Sequence, residues 1–140
     1  MSQSRDAMIA ELKRVAVPVL RALGFKGSFP HFRRTMDTRI DLLTFQFSTG
    51  GGEFVIEIGS FPPTGYELYG KLVPAAEVKM RHLLRRLRLG ARDESSDHWF
   101  SYANGDYATV AASVVPYIRG QAVEWWSHAE PGAAPDTGRM

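Results

Sequence analysis

Four histidines, 15 carboxylates and 17 basic side chains are the raw material for chemistry in this chain, which has no cysteine. Disulfides, thiolate nucleophiles, iron–sulfur clusters and cysteine zinc sites are thereby excluded. An acid–base enzyme needs a histidine or carboxylate held by a partner beside its substrate, so His31, His82, His98 and His128 are the positions to weigh. Glu124 and His128 share a helix face four residues apart, but two ligands do not complete a metal centre, and no His-Glu-x-x-His spacing is present. Asp97 directly precedes His98, and adjacent strand residues point to opposite faces, so the two cannot easily serve one substrate. No Gly-x-Ser-x-Gly elbow exists for serine chemistry. The triplet Gly50, Gly51 and Gly52 lacks the Lys and Ser/Thr of a phosphate loop and falls between two strand patterns, so it reads as hairpin punctuation. A small hydrolase-like enzyme built on His82 or His98 is the alternative; the reading leans away from catalysis, with no metal and no cofactor expected.

Cations give the stronger signal. Six of the 17 basic residues (Lys79, Arg81, Arg85, Arg86, Arg88 and Arg92) lie between positions 79 and 92 with no carboxylate among them, although the whole chain carries only +2. The guanidinium fork bonds oxyanions bidentately, which makes Arg85, Arg86, Arg88 and Arg92 candidates for gripping an acidic partner. Tyr66 and Tyr69, on a connection rich in Pro and Gly, and Trp99, beyond the acidic stretch 93–97, are candidate aromatic contacts at the same surface. Joined to Arg33, Arg34 and Arg39, the block would form a basic sheet face for nucleic acid, but +2 is modest for that role and no recognition-helix or RNA-binding signature is present. The reading therefore favours a non-enzymatic interaction module, immunity-protein-like in size and charge polarity. Its expected partner is another protein, with nucleic acid or a second copy of the chain as alternatives. No apolar run reaches the roughly 18 residues that a membrane span needs, and Asp6 and Glu11 stand where a signal peptide would be apolar, so a cytoplasmic, membrane-free setting is expected.

The elements that must position these groups follow from periodicity. With 140 residues, 44% hydrophobic and 23% charged, the chain suits one packed domain over residues 1–128, followed by a Pro, Gly and Ala-rich disordered tail over 129–140. Met8, Leu12, Val15, Val19, Leu20 and Leu23 recur at helical spacing and predict a helix capped by Gly24, with a kink or break near Ala16 caused by Pro18. Two-residue alternation predicts strands over 29–36, 39–48 and 53–60. Residues 61–76 read as a long irregular connection, and the spacing of Met80, Leu83, Leu84 and Leu87 leans helical over 77–89. Trp99, Phe100 and Tyr102 read as a further strand or packed loop. Asp106 is expected to cap a helix running to Ile118, and a short helix follows over 122–127. Trp125 and Trp126 lie about 100° apart on that helix, so only one of them can face the core. The fold class is α+β: an antiparallel sheet of about four to five strands packed against an N-terminal helix and C-terminal helices.

Several short segments occur in a suggestive order: Leu23-Gly24-Phe25-Lys26, Phe32-Arg33-Arg34, Phe45-Gln46, Arg86-Leu87-Arg88-Leu89-Gly90 and Asp97-His98-Trp99-Phe100. Together they resemble a family of small bacterial domains known only as a domain of unknown function, number four thousand three hundred and four, over most of residues 7–126. The resemblance implies the same α+β fold, and it implies that 86–90 is a strand where periodicity leans helical. Leu83 and Leu84 stand where that family often has a Cys–His pair. The family has no established activity or catalytic residues to carry over.

Overall fold

A computed structural model describes residues 3–129. Helix α1 (Gln3–Ala22) buries Met8, Leu12, Ala16, Val19 and Leu20, the stripe that the spacing predicts. It runs unbroken through Pro18, contrary to the expected break near Ala16. Ala16 and Val19 are locked into the core on either side of the exposed Pro18, and that packing outweighs one missing ladder bond. The helix stops at Gly24, whose φ of 98° only glycine adopts freely, and the Phe25 N–H turns back onto the Leu20 carbonyl at 2.9 Å. Phe25 is thereby delivered into the core.

Strands follow in chain order as β1 (Lys26–Ser28), β2 (His31–Thr35), β3 (Ile40–Phe47) and β4 (Glu53–Phe61). A small separate hairpin, β5 (Tyr66–Leu68) and β6 (Lys71–Val73), lies within the connection that looked irregular, and β7 (Leu87–Arg88) and β8 (Phe100–Ser101) come later. The main sheet is antiparallel, ordered β1-β2-β3-β4-β7, with β8 pairing the start of β4. It has six strands where four or five were expected; β1 is three residues built around Gly27 and carries no apolar alternation to betray it. After β8 come α2 (Tyr107–Tyr117), a π-helical turn (Ile118–Ala122) and α3 (Val123–Ser127). Asp106 precedes α2 but its side chain does not cap it, contrary to expectation; the carboxyl makes no bond to the helix while the Asp106 N–H is held by Asn104.

The register sorts side chains onto two faces. Phe32, Leu43, Phe45, Phe54, Ile56, Ile58 and Leu87 meet α1, α2 and α3 in the main core. On the second face, Ile40, Leu42 and Phe61 pack against Val78, Met80 and Leu83. Residues 77–89 are therefore not a helix. Two 3-10 turns, Ala75–Glu77 and Met80–His82, lead instead into β7, as the family resemblance implied for 86–90. A helix would have put Leu84 with Met80 and Leu83, yet Leu84 is 70% exposed while the other two are buried. Gly59 explains the choice: a Cβ there would collide with Leu83, so only its absence lets the segment lie flat on β4. The long connection thus lays a strap across the second face of the sheet.

Arg34 and Asp41 hold the two ends of the chain to the sheet. The Asp41 carboxylate is completely buried; it accepts from Arg34 Nη2 at 2.8 Å, Arg39 Nε at 2.9 Å and Ser60 Oγ at 2.9 Å. Arg34 also donates to the Leu23 carbonyl at 3.0 Å and lies over the rings of Phe25 and Trp126. Trp126, fully buried, donates from Nε1 to the Gly59 carbonyl at 3.2 Å. Of the stretch 129–140 read as a tail, only Ala129 is described, and it is buried. Among the described residues no helix is long and apolar enough to cross a membrane.

Removing one partner of a buried ion pair strands the other charge, so Asp41→Ala is expected to cost about 3–5 kcal/mol. Glu11→Ala, which removes the exposed pair with Arg14, is expected to cost less than about 1 kcal/mol. Urea unfolding of both variants checks this, and equal losses would contradict it.

Candidate functional site

The histidines are dispersed. His82 Nδ1 accepts the Lys79 N–H at 2.9 Å and closes its own 3-10 turn. The His98 ring packs edge-on against Phe100, beside Tyr117 and directly over Gly90. Asp97 reaches the His98 backbone N–H and not its ring. His31 Nδ1 lies 3.2 Å from Thr44 Oγ1, and His128 Nδ1 lies 2.9 Å from the Glu124 carbonyl. Among the described residues no group of three or more His, Asp or Glu could hold a metal ion.

The arginine block is brought together and is also neutralised. Glu57, which alternation places on the outer side of β4, is only 7% exposed; it takes Arg88 Nε at 3.1 Å and Arg86 at 3.5 Å. Arg88 also bonds Asp97 at 2.9 Å and lies over Trp99, whose indole N–H donates to Asp97 at 3.1 Å. Arg85 pairs with Glu94 at 2.8 Å and covers Trp125, which bonds the same carboxylate. Arg92, the most exposed of the four, faces Asp93 at 3.7 Å. An incoming acidic group would have to displace a resident carboxylate at each of these arginines. The wider basic face does not assemble either: Arg34 and Arg39 serve Asp41, while Arg33 points to the opposite side of the sheet. Of the aromatic candidates, Tyr66 is half-buried with its hydroxyl accepting the Leu84 N–H, whereas Tyr69 stands 89% exposed at the β5–β6 turn.

The composition of charge differs in a cleft of about 620 Å³ between the β1–β2 edge and the strap. Lys26 and Arg33 are direct cross-strand neighbours there, Lys79 faces them from the strap, and His31, Thr35 and Thr44 add polar groups above Leu42, Val78 and Met80. No carboxylate lines it. Arg33 donates to the Ala75 and Val78 carbonyls at 2.8 and 2.6 Å and lies over Phe61, so it clamps the strap as well as charging the wall. Burial lowers the pKa of its guanidinium from the ordinary value, the mark of a cation short of a counter-charge. Like charges directly opposite in a sheet repel, and among the described residues Lys26, Arg33 and Lys79 have no carboxylate partner to relieve the repulsion. Sequence reasoning missed this site because Lys26 and Lys79 are far apart in the chain and meet only when the strap folds over. Their one early signal was Phe32-Arg33-Arg34, where adjacent arginines on a strand must serve opposite faces.

The sequestered carboxylates set an acid limit. Desolvation works to raise the Asp97 pKa but is outweighed by the Trp99 indole, the Arg88 charge and the His98 N–H, leaving it below the usual carboxylate value; Ser96 and Ser95 lower that of Asp93. A carboxylate depressed in the folded state adds stability above its unfolded pKa of about 4 and loses it as pH falls through the folded value. The urea midpoint is therefore expected to drop more steeply below about pH 4 in the parent than in Asp97→Asn. Parallel curves would contradict this role.

Comparison with known proteins agrees with the geometry in leaving activity open. No curated protein and no solved structure matches the chain. The family model described as Domain of unknown function (DUF4304) matches residues 16–128. That span takes in α1 from Ala16 onward, the whole sheet, the strap and both C-terminal helices, and the chain belongs to the DUF4304 family.

Proposed function

We propose that the domain is a non-enzymatic binding module that accepts an anionic partner in the cleft between the β1–β2 edge and the strap. One observation carries the reading: Lys26, Arg33 and Lys79 converge there without a carboxylate, whereas the arginines of 85–92 each face one. Charge left uncompensated in a partly dry recess is stored binding energy, because an arriving anion relieves repulsion that the free protein must tolerate. The cleft volume lies in the range of small-ligand sites, of roughly 300–1,000 Å³. Strand addition at the neighbouring edge is opposed, since Arg21 already occupies the Gly27 carbonyl at 2.7 Å. A protein partner would therefore meet the cleft through a carboxylate-bearing segment inserted into it.

Citrate added at constant ionic strength is expected to raise the Tm of the parent by a few °C, in line with about 1 kcal/mol of linked stabilisation. The Lys26→Glu/Lys79→Glu variant is expected to lose that rise, and Arg85→Gln/Arg92→Gln to keep it. An equal rise in all three proteins would refute the cleft as the site.

A further inference from the structure

The cleft has chemistry on two levels, and together they select a class of ligand. Its rim is cationic, with Lys26 and Lys79 both exposed and therefore free to move onto an anion. Its floor is apolar, made by Leu42, Val78 and Met80. Arg33 cannot swing out, because both ends of its guanidinium are committed to strap carbonyls; it supplies fixed positive potential from the wall. A fully hydrated polyanion would satisfy the rim and leave the floor against water. A neutral apolar molecule would do the reverse.

We infer that the ligand is an amphipathic organic anion, a single carboxylate joined to an apolar body, with the carboxylate at Lys26 and Lys79 and the body over Leu42, Val78 and Met80. This rests on the anion-binding reading above and narrows it. The same chemistry is offered by a free aliphatic or aromatic acid and by the C-terminal residue of a protein chain ending in an apolar side chain. A small-ligand cleft holds the former whole and the latter by its last residues. The apolar floor also sets the size of the body: Met80, unbranched and adaptable, forms one side, so modest variation in shape is tolerated where loss of the charge is not.

Calorimetric titration of the full chain separates these possibilities with four probes: octanoate, octyl glucoside, inorganic phosphate, and acetyl-Ala-Leu-Leu as free acid and as amide. Octanoate is expected to bind with affinity that falls as salt rises, at least about tenfold more weakly to Lys26→Glu/Lys79→Glu, while octyl glucoside and phosphate bind far more weakly to the parent. If the peptide acid binds and its amide does not, the C-terminal source is selected; if only octanoate binds, the free acid is. Phosphate binding as tightly as octanoate, with loss in the double variant, would overturn the amphipathic class and leave the anion-binding reading standing. Octanoate binding equally to the double variant, or no binding by any probe together with an unchanged Tm in citrate, would overturn both.

Discussion

The fold depends on one fully buried carboxylate. Asp41 sits among Ile40, Leu42 and Leu43 on β3 with no exposure, a position that an unpaired charge could not occupy. Arg34, Arg39 and Ser60 satisfy it from three separate segments. Arg34 extends the arrangement further, reaching the last turn of α1 through the Leu23 carbonyl and lying beneath Phe25 and Trp126. The N-terminal helix, the sheet and the C-terminal helix are thus registered against one ion pair, and the aromatic packing around it has one arrangement that keeps every polar group bonded. Such a pair adds little net stability relative to an apolar core, but its failure is costly, so it selects the arrangement.

A second buried carboxylate, Glu57, organises the opposite face by the same logic. It draws Arg86 and Arg88 inward, and Asp97, Glu94 and Asp93 complete the neutralisation of a segment that is strongly cationic as written. Charge balance within 85–97 is local, and the arginines there act as structural fasteners for β7 and for the loop leading to β8. Once those cations are accounted for, the uncompensated charge of the sheet falls on Lys26, Arg33 and Lys79 at the other side. The distinction between the two sets is not the number of cations but whether the fold supplies the anion.

Long, strongly periodic elements were legible in the sequence: α1 with its Gly24 cap, the alternation of β3 and β4, and α2 all follow local rules that burial reinforces. Residues 77–89 were not, because Met80, Leu83, Leu84 and Leu87 fit a helix and the decisive term is non-local, the space left by Gly59 on β4. The short strands β1, β5 and β6 carry too few residues for a period to show. The arginine block was visible as a count, yet a count does not reveal that its carboxylates arrive from β4 and from the loop 93–97. The cleft was invisible for the complementary reason, since its cations come from β1, β2 and the strap, and no linear pattern joins them. Family membership fixed the strand at 87–88 where periodicity pointed the other way, and it carries no chemistry of its own.

Backbone amide NMR of the labelled full chain, titrated with octanoate, tests the location of binding most directly. Shifts that saturate together at Lys26, Gly27, His31, Arg33 and Lys79 are the result this account predicts. Shifts centred on residues 85–92, or scattered over the surface without saturation, would contradict it.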